Sequence, residues 1–267
     1  MKHTPSRLPV SYAQHGIWMG QQLAPDNPGY WTAEATELKG ALDADILRRC
    51  AADTLACCPA LNMRFEFDGE TLWQRPQPAS PQPLPWHDLS GEADPEAAAM
   101  AWMRRALSQP CNPAADPLYR SALLQLGPRH FLWYVQTHHI ALDGFAYGLL
   151  AKAVAARYNA ALRGQPAPAP PDWDLAPVLD EDLAYQASEQ RERDRAFWIA
   201  RQQAFPPAAT LAPARALADG ARKSGCLLSP EQVDAWQSAA KACGVNWAAW
   251  MTAAAAAWLA RRGGQRA

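Results

Sequence analysis

The stretch from Tyr119 to Leu162 constrains the fold most, because its apolar residues change from strand-like to helical spacing. Two strand-like runs, YRSALLQL and HFLWYVQTH, are separated by Gly127 and Pro128, a pair typical of a turn. After Leu142 the apolar residues recur with the period of a helix. This order of strand, turn, strand and helix predicts a sheet that packs against at least one helix.

The residues before this stretch predict two more helices and three more strands. Asp43 is suited to cap a helix that ends before Pro59, and Asp94 is suited to cap one that runs to about Ser108. The runs WTAEATELKG, NMRFEF and TLWQ predict strands, with a tight hairpin turn between the last two. The proline-rich stretch 76–85 is expected to stay extended on the surface. Together these elements predict an α+β fold with a mixed β-sheet and packed helices.

A second proline-rich run, GQPAPAPP, divides the chain. We expect a first lobe over residues 1–163, a linker over 164–177 and a further portion over 178–267. Around and beyond the end of the linker, residues 177–203 predict one mostly polar helix, KSGCLL predicts a strand, and two helices follow to Arg262. Because the last helix is followed by no strands that it could cover, we expect the chain to be truncated there.

The charge balance excludes several classes of function. The chain carries 25 basic and 26 acidic side chains, with a net charge of −1 and an isoelectric point near 6.6. This balance gives no electrostatic footprint for nucleic acid and no general attraction to anionic membranes. Residues 1–30 lack the continuous apolar core of a signal peptide, and the longest apolar run is too short to span a bilayer. We therefore predict a soluble, cytoplasmic protein.

The cysteines do not predict a zinc site. None belongs to a C-x-x-C pair, and the adjacent Cys57 and Cys58 cannot both point at one metal from a helix. We predict free thiols buried in the protein, and no bound metal. The six cysteines are Cys50, Cys57, Cys58, Cys111, Cys226 and Cys243.

The segment THHIALDG, residues 137–144, is the strongest candidate for a functional site. It lies where an apolar strand ends and a helix begins, a place that often carries catalytic groups. Successive strand residues point to opposite faces, so only one of His138 and His139 can face a substrate. The alternative is that both histidines are structural, with their ring nitrogens hydrogen-bonded within the protein at the end of the strand.

The stretch THHIALDGFAYGLL resembles the H-H-x-x-x-D-G motif of the condensation domains of nonribosomal peptide synthetases. VSYAQHGIWMGQQL resembles the opening S-x-A-Q-x-x-x-W motif of that family, and ADTLACCPALNMRFEFDGE resembles its second motif, of which only Arg64 and Phe65 are kept. The helix after the linker carries the F-W pair of the family, and the tail resembles the helix that begins its second lobe. The resemblance is closest to siderophore synthetases of the enterobactin kind.

The resemblance implies a fold like that of chloramphenicol acetyltransferase, with two similar lobes and a tunnel where they meet. It implies amide formation, in which an acceptor aminoacyl amine attacks a donor acyl thioester. Donor and acceptor carrier proteins would present these substrates on phosphopantetheine arms, an adenylation domain would be adjacent, and the domain would need no cofactor of its own. Two alternatives stay open: a non-catalytic module that recruits a partner to carrier proteins, and a relative of epimerization domains. With one lobe only, we expect the chain to be inactive alone and to self-associate through its last helix.

The same resemblance assigns roles to five residues. His139 matches the catalytic histidine of the family, which removes or positions the proton of the attacking amine, and His138 is placed with it in the predicted catalytic group. Gly144 either directs its backbone N–H at the developing oxyanion or lets the backbone turn sharply. Asp143 is expected to pair with Arg64 and so to clamp the motif to a neighbouring strand.

Overall fold

The computed structural model describes residues 7–79, 81, 83–205 and 225–262, and the chain falls into two compact units, Met1–Ser188 and Glu189–Ala267. In the described residues the first unit contains strands β1 to β7 and helices α1 to α5, and the second contains helices α6 to α8. The elements of the first unit are β1 (Leu8–Pro9), α1 (Tyr12–Leu23), β2 (Trp31–Lys39), α2 (Ala44–Cys57), β3 (Met63–Phe67), β4 (Leu72–Pro76), β5 (Trp86–Asp88), α3 (Pro95–Leu107), β6 (Tyr119–Gly127), β7 (His130–His138), α4 (Gly144–Leu162) and α5 (Ala176–Gln186). Those of the second are α6 (Glu189–Ala204), α7 (Pro230–Ala242) and α8 (Trp247–Arg262).

The larger sheet of the first unit has the strand order β2-β7-β6-β5. β7 pairs antiparallel with β2, from Trp31 opposite His138 to Lys39 opposite His130, and antiparallel with β6. The short strand β5, which the sequence pattern does not indicate, runs parallel to β6. The sheet is therefore mixed, as predicted, and β7 has a paired neighbour on either side.

The two faces of this sheet meet different helices. On one face, Trp133 and Val135 of β7 share a core with Leu55 of α2 and Leu150 of α4. The other face packs against Ala99 and its neighbours on α3. Burial on both faces explains why the sequence of β7 is an almost continuous apolar run and does not alternate with polar residues.

The smaller sheet has the order β1-β4-β3 and packs against α1. β3 and β4 form the predicted hairpin, and Gly69 in its turn has a φ of +100°, which favours glycine. Trp18 of α1 packs near Phe65 of β3, with 6.3 Å between ring centroids. The same cluster contains Ile140, which is 2% exposed, so it joins α1 to the chain just after the paired histidines.

The single helix predicted over residues 177–203 is two helices, α5 and α6. Ser188 ends α5, because its Oγ donates to the carbonyl of Tyr185 at 2.7 Å and its backbone N–H donates to the same carbonyl at 3.0 Å. A side chain that bonds its own local backbone competes with helix continuation. The prediction missed the break because nearly all of the surrounding residues are good helix formers.

The domain boundary also differs from the prediction. Trp173 packs against the core of the first unit, and Leu179 of α5 is 5% exposed and lines a cavity of that unit. The first unit therefore extends to Ser188, beyond the predicted boundaries at residues 163 and 178. The linker was predicted from the prolines alone, and the apolar side chains of Trp173 and Leu179 that follow them were not taken into account.

The second unit contains the two predicted C-terminal helices, α7 and α8. Trp236 of α7 packs against Trp247 and Trp250 of α8, at 6.1 and 5.8 Å between ring centroids. The strand predicted for KSGCLL begins outside the described residues, and its remainder, residues 225–228, is not a strand, since the described residues of this unit offer only helices as neighbours. No helix in the described part of the chain has the length and apolar character needed to cross a membrane.

Candidate functional site

The first unit contains a cavity of about 840 Å³ at the end of β7. Its walls come from α1, the turn after α2, the N-terminal half of α4 and the residues that lead into α5. The lining includes Ile17, Cys58, His139, Asp143, Leu150 and Trp173. Most of these side chains are apolar, as in many cavities that bind small molecules, and the polar groups among them are few.

His139 has one ring nitrogen bonded within the protein. Its Nδ1 lies 3.1 Å from the carbonyl oxygen of Leu142, and because a carbonyl only accepts, Nδ1 carries the hydrogen. In the neutral ring Nε2 then keeps its lone pair, and none of the described residues bonds to it. The backbone N–H of His139 donates to the carbonyl of Tyr30 at 2.8 Å. The residue is exposed, lines the cavity and is able to accept a proton there.

His138 lies away from the cavity, which differs from the place beside His139 that was predicted for it. The side chain is 1% exposed and does not line the cavity. Its Nε2 lies 3.3 Å from Oε1 of Gln21, and its Nδ1 accepts the backbone N–H of Ile140 at 3.3 Å. Burial, with a smaller contribution from His139, lowers the pKa of His138 to about 4, so the ring is neutral near pH 7.

The predicted ion pair between Asp143 and Arg64 does not form. Asp143 instead caps α4, since its Oδ1 accepts the backbone N–H of Ala146 at 2.8 Å. Arg64 donates through Nε to the carbonyl of Ala115 at 3.1 Å and through Nη1 to the carbonyl of Met63 at 2.8 Å. Arg64 alternates with buried neighbours on β3, so its side chain lines a separate cavity from the one that Asp143 lines.

Gly144 is the first residue of α4, directly after the capping Asp143. Its φ lies outside the left-handed region, and a Cβ at this position would meet nothing within 4 Å. Of the two alternatives for Gly144, the sharp turn therefore has no support in the backbone at this position. Asp143 and Ala146 line the cavity and Gly144 does not, so the role of its N–H at an oxyanion stays a prediction.

Gln14 supports the site and was not found by sequence reasoning. It completes a capping box, in which Ser11 Oγ accepts the Gln14 N–H at 3.2 Å and Gln14 Oε1 accepts the Ser11 N–H at 2.9 Å. Its Nε2 also donates to the carbonyl of Ile140 at 3.2 Å, which ties α1 to the residue after His139. The signal was present, because S-x-x-Q before an apolar helix is the capping-box pattern.

The cysteines are only partly as predicted. Cys58 and Cys111 are buried, and burial raises the pKa of the Cys58 thiol, so this cavity residue stays protonated near pH 7. Cys50 is half-buried, and the exposed thiols are Cys57, Cys226 and Cys243, which corrects the expectation that all are buried. In the ranges that the structure describes, no group of three or more His, Cys, Asp or Glu is placed to hold a metal ion.

Comparison with known proteins gives a consistent family. The condensation-domain family model matches residues 5–267. The chain is 36% identical over 253 residues to a dimodular nonribosomal peptide synthase of Bacillus subtilis, which covers 94% of the chain and 11% of that synthase. It is 35% identical over 259 residues to enterobactin synthase component F of Escherichia coli K12, covering 95% of the chain and 20% of that protein.

Solved structures show the same likeness. The first condensation domain of the calcium-dependent antibiotic synthetase, in complex with a substrate analogue, gives a TM-score of 0.88 at 33% identity, over 97% of this chain and 62% of that one. A mutant starter condensation domain of rhizomide synthetase, in complex with C8-CoA and Leu-SNAC, gives a TM-score of 0.73 at 33% identity. That match covers 79% of this chain and 48% of the solved chain. The fold predicted from the motifs is thereby confirmed, and the chain spans less than two thirds of either solved chain.

Proposed function

Because the chain belongs to the condensation-domain family, we propose that its site takes part in amide formation between a donor acyl thioester and an acceptor aminoacyl thioester. The observation that carries the proposal is the state of His139, whose Nδ1 is bonded to Leu142 while Nε2 is left to accept a proton at the cavity. Carrier proteins would present both substrates on phosphopantetheine arms. These arms belong to the partners and are substrates of the site.

The proposed reaction requires one bond to form and one to break. The acceptor amine attacks the carbonyl carbon of the donor thioester, and the C–N bond forms as the carbonyl oxygen takes up negative charge. His139 Nε2 accepts a hydrogen bond, or the proton itself, from the attacking amine. The C–S bond then breaks, and the leaving thiolate takes the proton to become the free thiol of the donor arm. A neutral imidazole suits this exchange near pH 7.

The N-terminus of α4 provides the electrostatic part of the proposal. Asp143 and Ala146 place this end of the helix at the cavity wall. The first backbone N–H groups of a helix have no partner within it, and the helix dipole adds partial positive charge there. Both features favour a developing oxyanion, although the Asp143 carboxylate offsets part of the effect.

The lining indicates the chemistry of the group that lies beside His139. Two polar side chains of the wall are bonded within the protein: Gln74 Nε2 donates to the carbonyl of Pro9 at 2.8 Å, and Gln14 is held by Ser11 and Ile140. The other polar side chains of the wall are Ser11, His139, Asp143, Asp172 and Asp174. Much of the remaining wall is aliphatic or aromatic. We infer that the substrate group in this cavity is apolar, because the larger part of the wall is apolar and a hydroxyl group that faces it would lose hydrogen bonds to water.

The test is the transfer of a donor group between carrier proteins, with the whole natural protein as catalyst. One donor carrier is loaded with octanoyl and a matched one with a hydroxyoctanoyl group, and the intact mass of the aminoacyl acceptor carrier is followed. We expect the acceptor to gain the donor mass, faster with octanoyl. Carrier binding without transfer would identify the non-catalytic module, and equal rates would contradict the apolar preference.

A further inference from the structure

Gln21 is a buried amide whose orientation is fixed by the chain around it. It lies on α1 and is 3% exposed. Its Nε2 is within hydrogen-bond distance of three backbone carbonyls, those of Ala24 at 3.2 Å, Pro25 at 2.8 Å and Asn27 at 3.2 Å. Because carbonyl oxygens only accept, the amide nitrogen must face them, and the amide oxygen is left for another partner.

That partner is His138, and the contact selects its tautomer. Gln21 Oε1 lies 3.3 Å from His138 Nε2, and an acceptor at this position requires a hydrogen on Nε2. Nδ1 of the neutral ring is then unprotonated, as it must be to accept the backbone N–H of Ile140 at 3.3 Å. The rings of Tyr30 and Trp31 lie at 6.0 and 5.6 Å from the His138 ring and enclose it.

These bonds hold the chain on both sides of His139. The N–H of Ile140 is bonded to His138 and its carbonyl is bonded to Gln14, while the N–H of His139 is bonded to Tyr30. With the other tautomer, His138 Nδ1–H would face the N–H of Ile140. Two donors would then meet in a buried place, and the turn that carries His139 would have to open.

We propose that Gln21 is a positioning residue for His139. Together with the Ile140 N–H it fixes the tautomer of His138, which holds Ile140 and so the backbone from which the His139 ring projects. The loop from Ala24 to Asn27 contributes to this positioning, because its carbonyls orient the Gln21 amide. The consequence for catalysis rests on the proposed function of His139, whereas the consequence for His138 is measurable without any activity.

The first test reads the tautomer directly. Gln21→Met keeps the length of the side chain and removes the amide, and Gln22→Met is the matched control at an exposed position of the same helix. Nitrogen NMR of the ¹⁵N-histidine-labelled chain, with His138→Asn to assign the signal, shows which ring nitrogen carries the hydrogen. We expect Gln21→Met to mix the two tautomers of His138 and Gln22→Met to leave one. A single unchanged tautomer in Gln21→Met would overturn the proposal.

The second test measures amide formation in the whole natural protein. We expect Gln21→Met to lower kcat on the order of 10²-fold, with little change in KM for the acceptor carrier, because a misplaced reacting group costs rate. His138→Asn offers a side-chain oxygen to the Ile140 N–H without a ring tautomer, so Gln21→Met should lower kcat little further in that background.

Equal losses of rate in both backgrounds, or a loss that follows the fraction of unfolded protein, would show that Gln21 acts through stability alone and would contradict the proposal. A wild-type protein that forms no amide would refute the proposed function. The tautomer measurement would still decide the part played by Gln21.

Discussion

His138 and His139 are adjacent in the chain but lie in opposite environments. His138 is 1% exposed, and both of its ring nitrogens are bonded inside the protein. His139 is exposed at the cavity, and only its Nδ1 is bonded among the residues that the structure describes. A ring with both nitrogens satisfied can hold a turn in place, whereas proton transfer needs a nitrogen with a free lone pair that substrate can reach.

The largest effect should come from removing the exposed histidine. We expect His139→Ala to lower the rate of amide formation about 10²–10⁴-fold, the usual contribution of a general base, and to leave the melting temperature nearly unchanged. Single-turnover mass spectrometry of the acceptor carrier measures the rate, with the whole natural protein as catalyst. An unchanged rate would show that His139 takes no part in the reaction, and neither histidine would then have a catalytic role.

The buried histidine should instead control stability in acid. Its pKa is lowered to about 4 in the folded chain, against about 6.5 for an unperturbed histidine. Between these two values the unfolded chain binds more protons, so stability is lost as the pH falls from about 6.5 to 4, by roughly 3 kcal/mol for this residue. Denaturant unfolding of the wild type and of His138→Asn over this range gives the difference. Parallel curves for the two proteins would show that the ring of His138 already titrates normally in the folded state.

A smaller effect distinguishes the two ends of the predicted clamp. Asp143→Ala removes a helix cap and should cost about 0.5–2 kcal/mol. Arg64→Ala removes hydrogen bonds to the carbonyls of Ala115 and Met63 and should cost about 1 kcal/mol. Because the two side chains line separate cavities, the double variant should equal the sum within about 0.5 kcal/mol. If denaturant unfolding shows that the double variant departs from the sum by well over about 0.5 kcal/mol, Asp143 and Arg64 interact and the predicted ion pair forms after all.

The elements that the sequence predicts well are those with strong local signals. The hairpin of β3 and β4, the capped helices α2 and α3, and the strands β6 and β7 all follow from periodicity and from turn and cap residues. β5 has only three residues, and it exists because β6 offers it a parallel edge. Such a strand depends on a neighbour that is distant in sequence, so no local pattern reveals it.

In the site too, features with a local sequence signal were predicted, and contacts between distant residues were not. Alternation along a strand predicted that His138 and His139 point apart; the structure shows one buried and the other exposed, with His139 in the turn just after β7. The pairing of Asp143 with Arg64 came from resemblance alone, and it failed because the backbone around each residue supplies nearer partners. The contact of Gln21 with His138 joins residues 117 positions apart, and only the packing of α1 against the end of β7 brings them together.

The smallest effect concerns the residue after Asp143. Gly144→Ala keeps the backbone N–H, places a Cβ in open space and meets no left-handed φ, so the folded state has no reason to resist it. Alanine also restricts the unfolded chain more than glycine does, so stability should rise by about 0.4–1 kcal/mol in denaturant unfolding. Amide formation tests what the N–H does, since an N–H that contacts the oxyanion is retained and the rate should stay within about threefold. A large loss of rate at unchanged stability would mean that the new methyl group meets the substrate. Gly144 would then contact the substrate in the cavity, as is proposed for His139, and would not serve the fold alone, as His138 does.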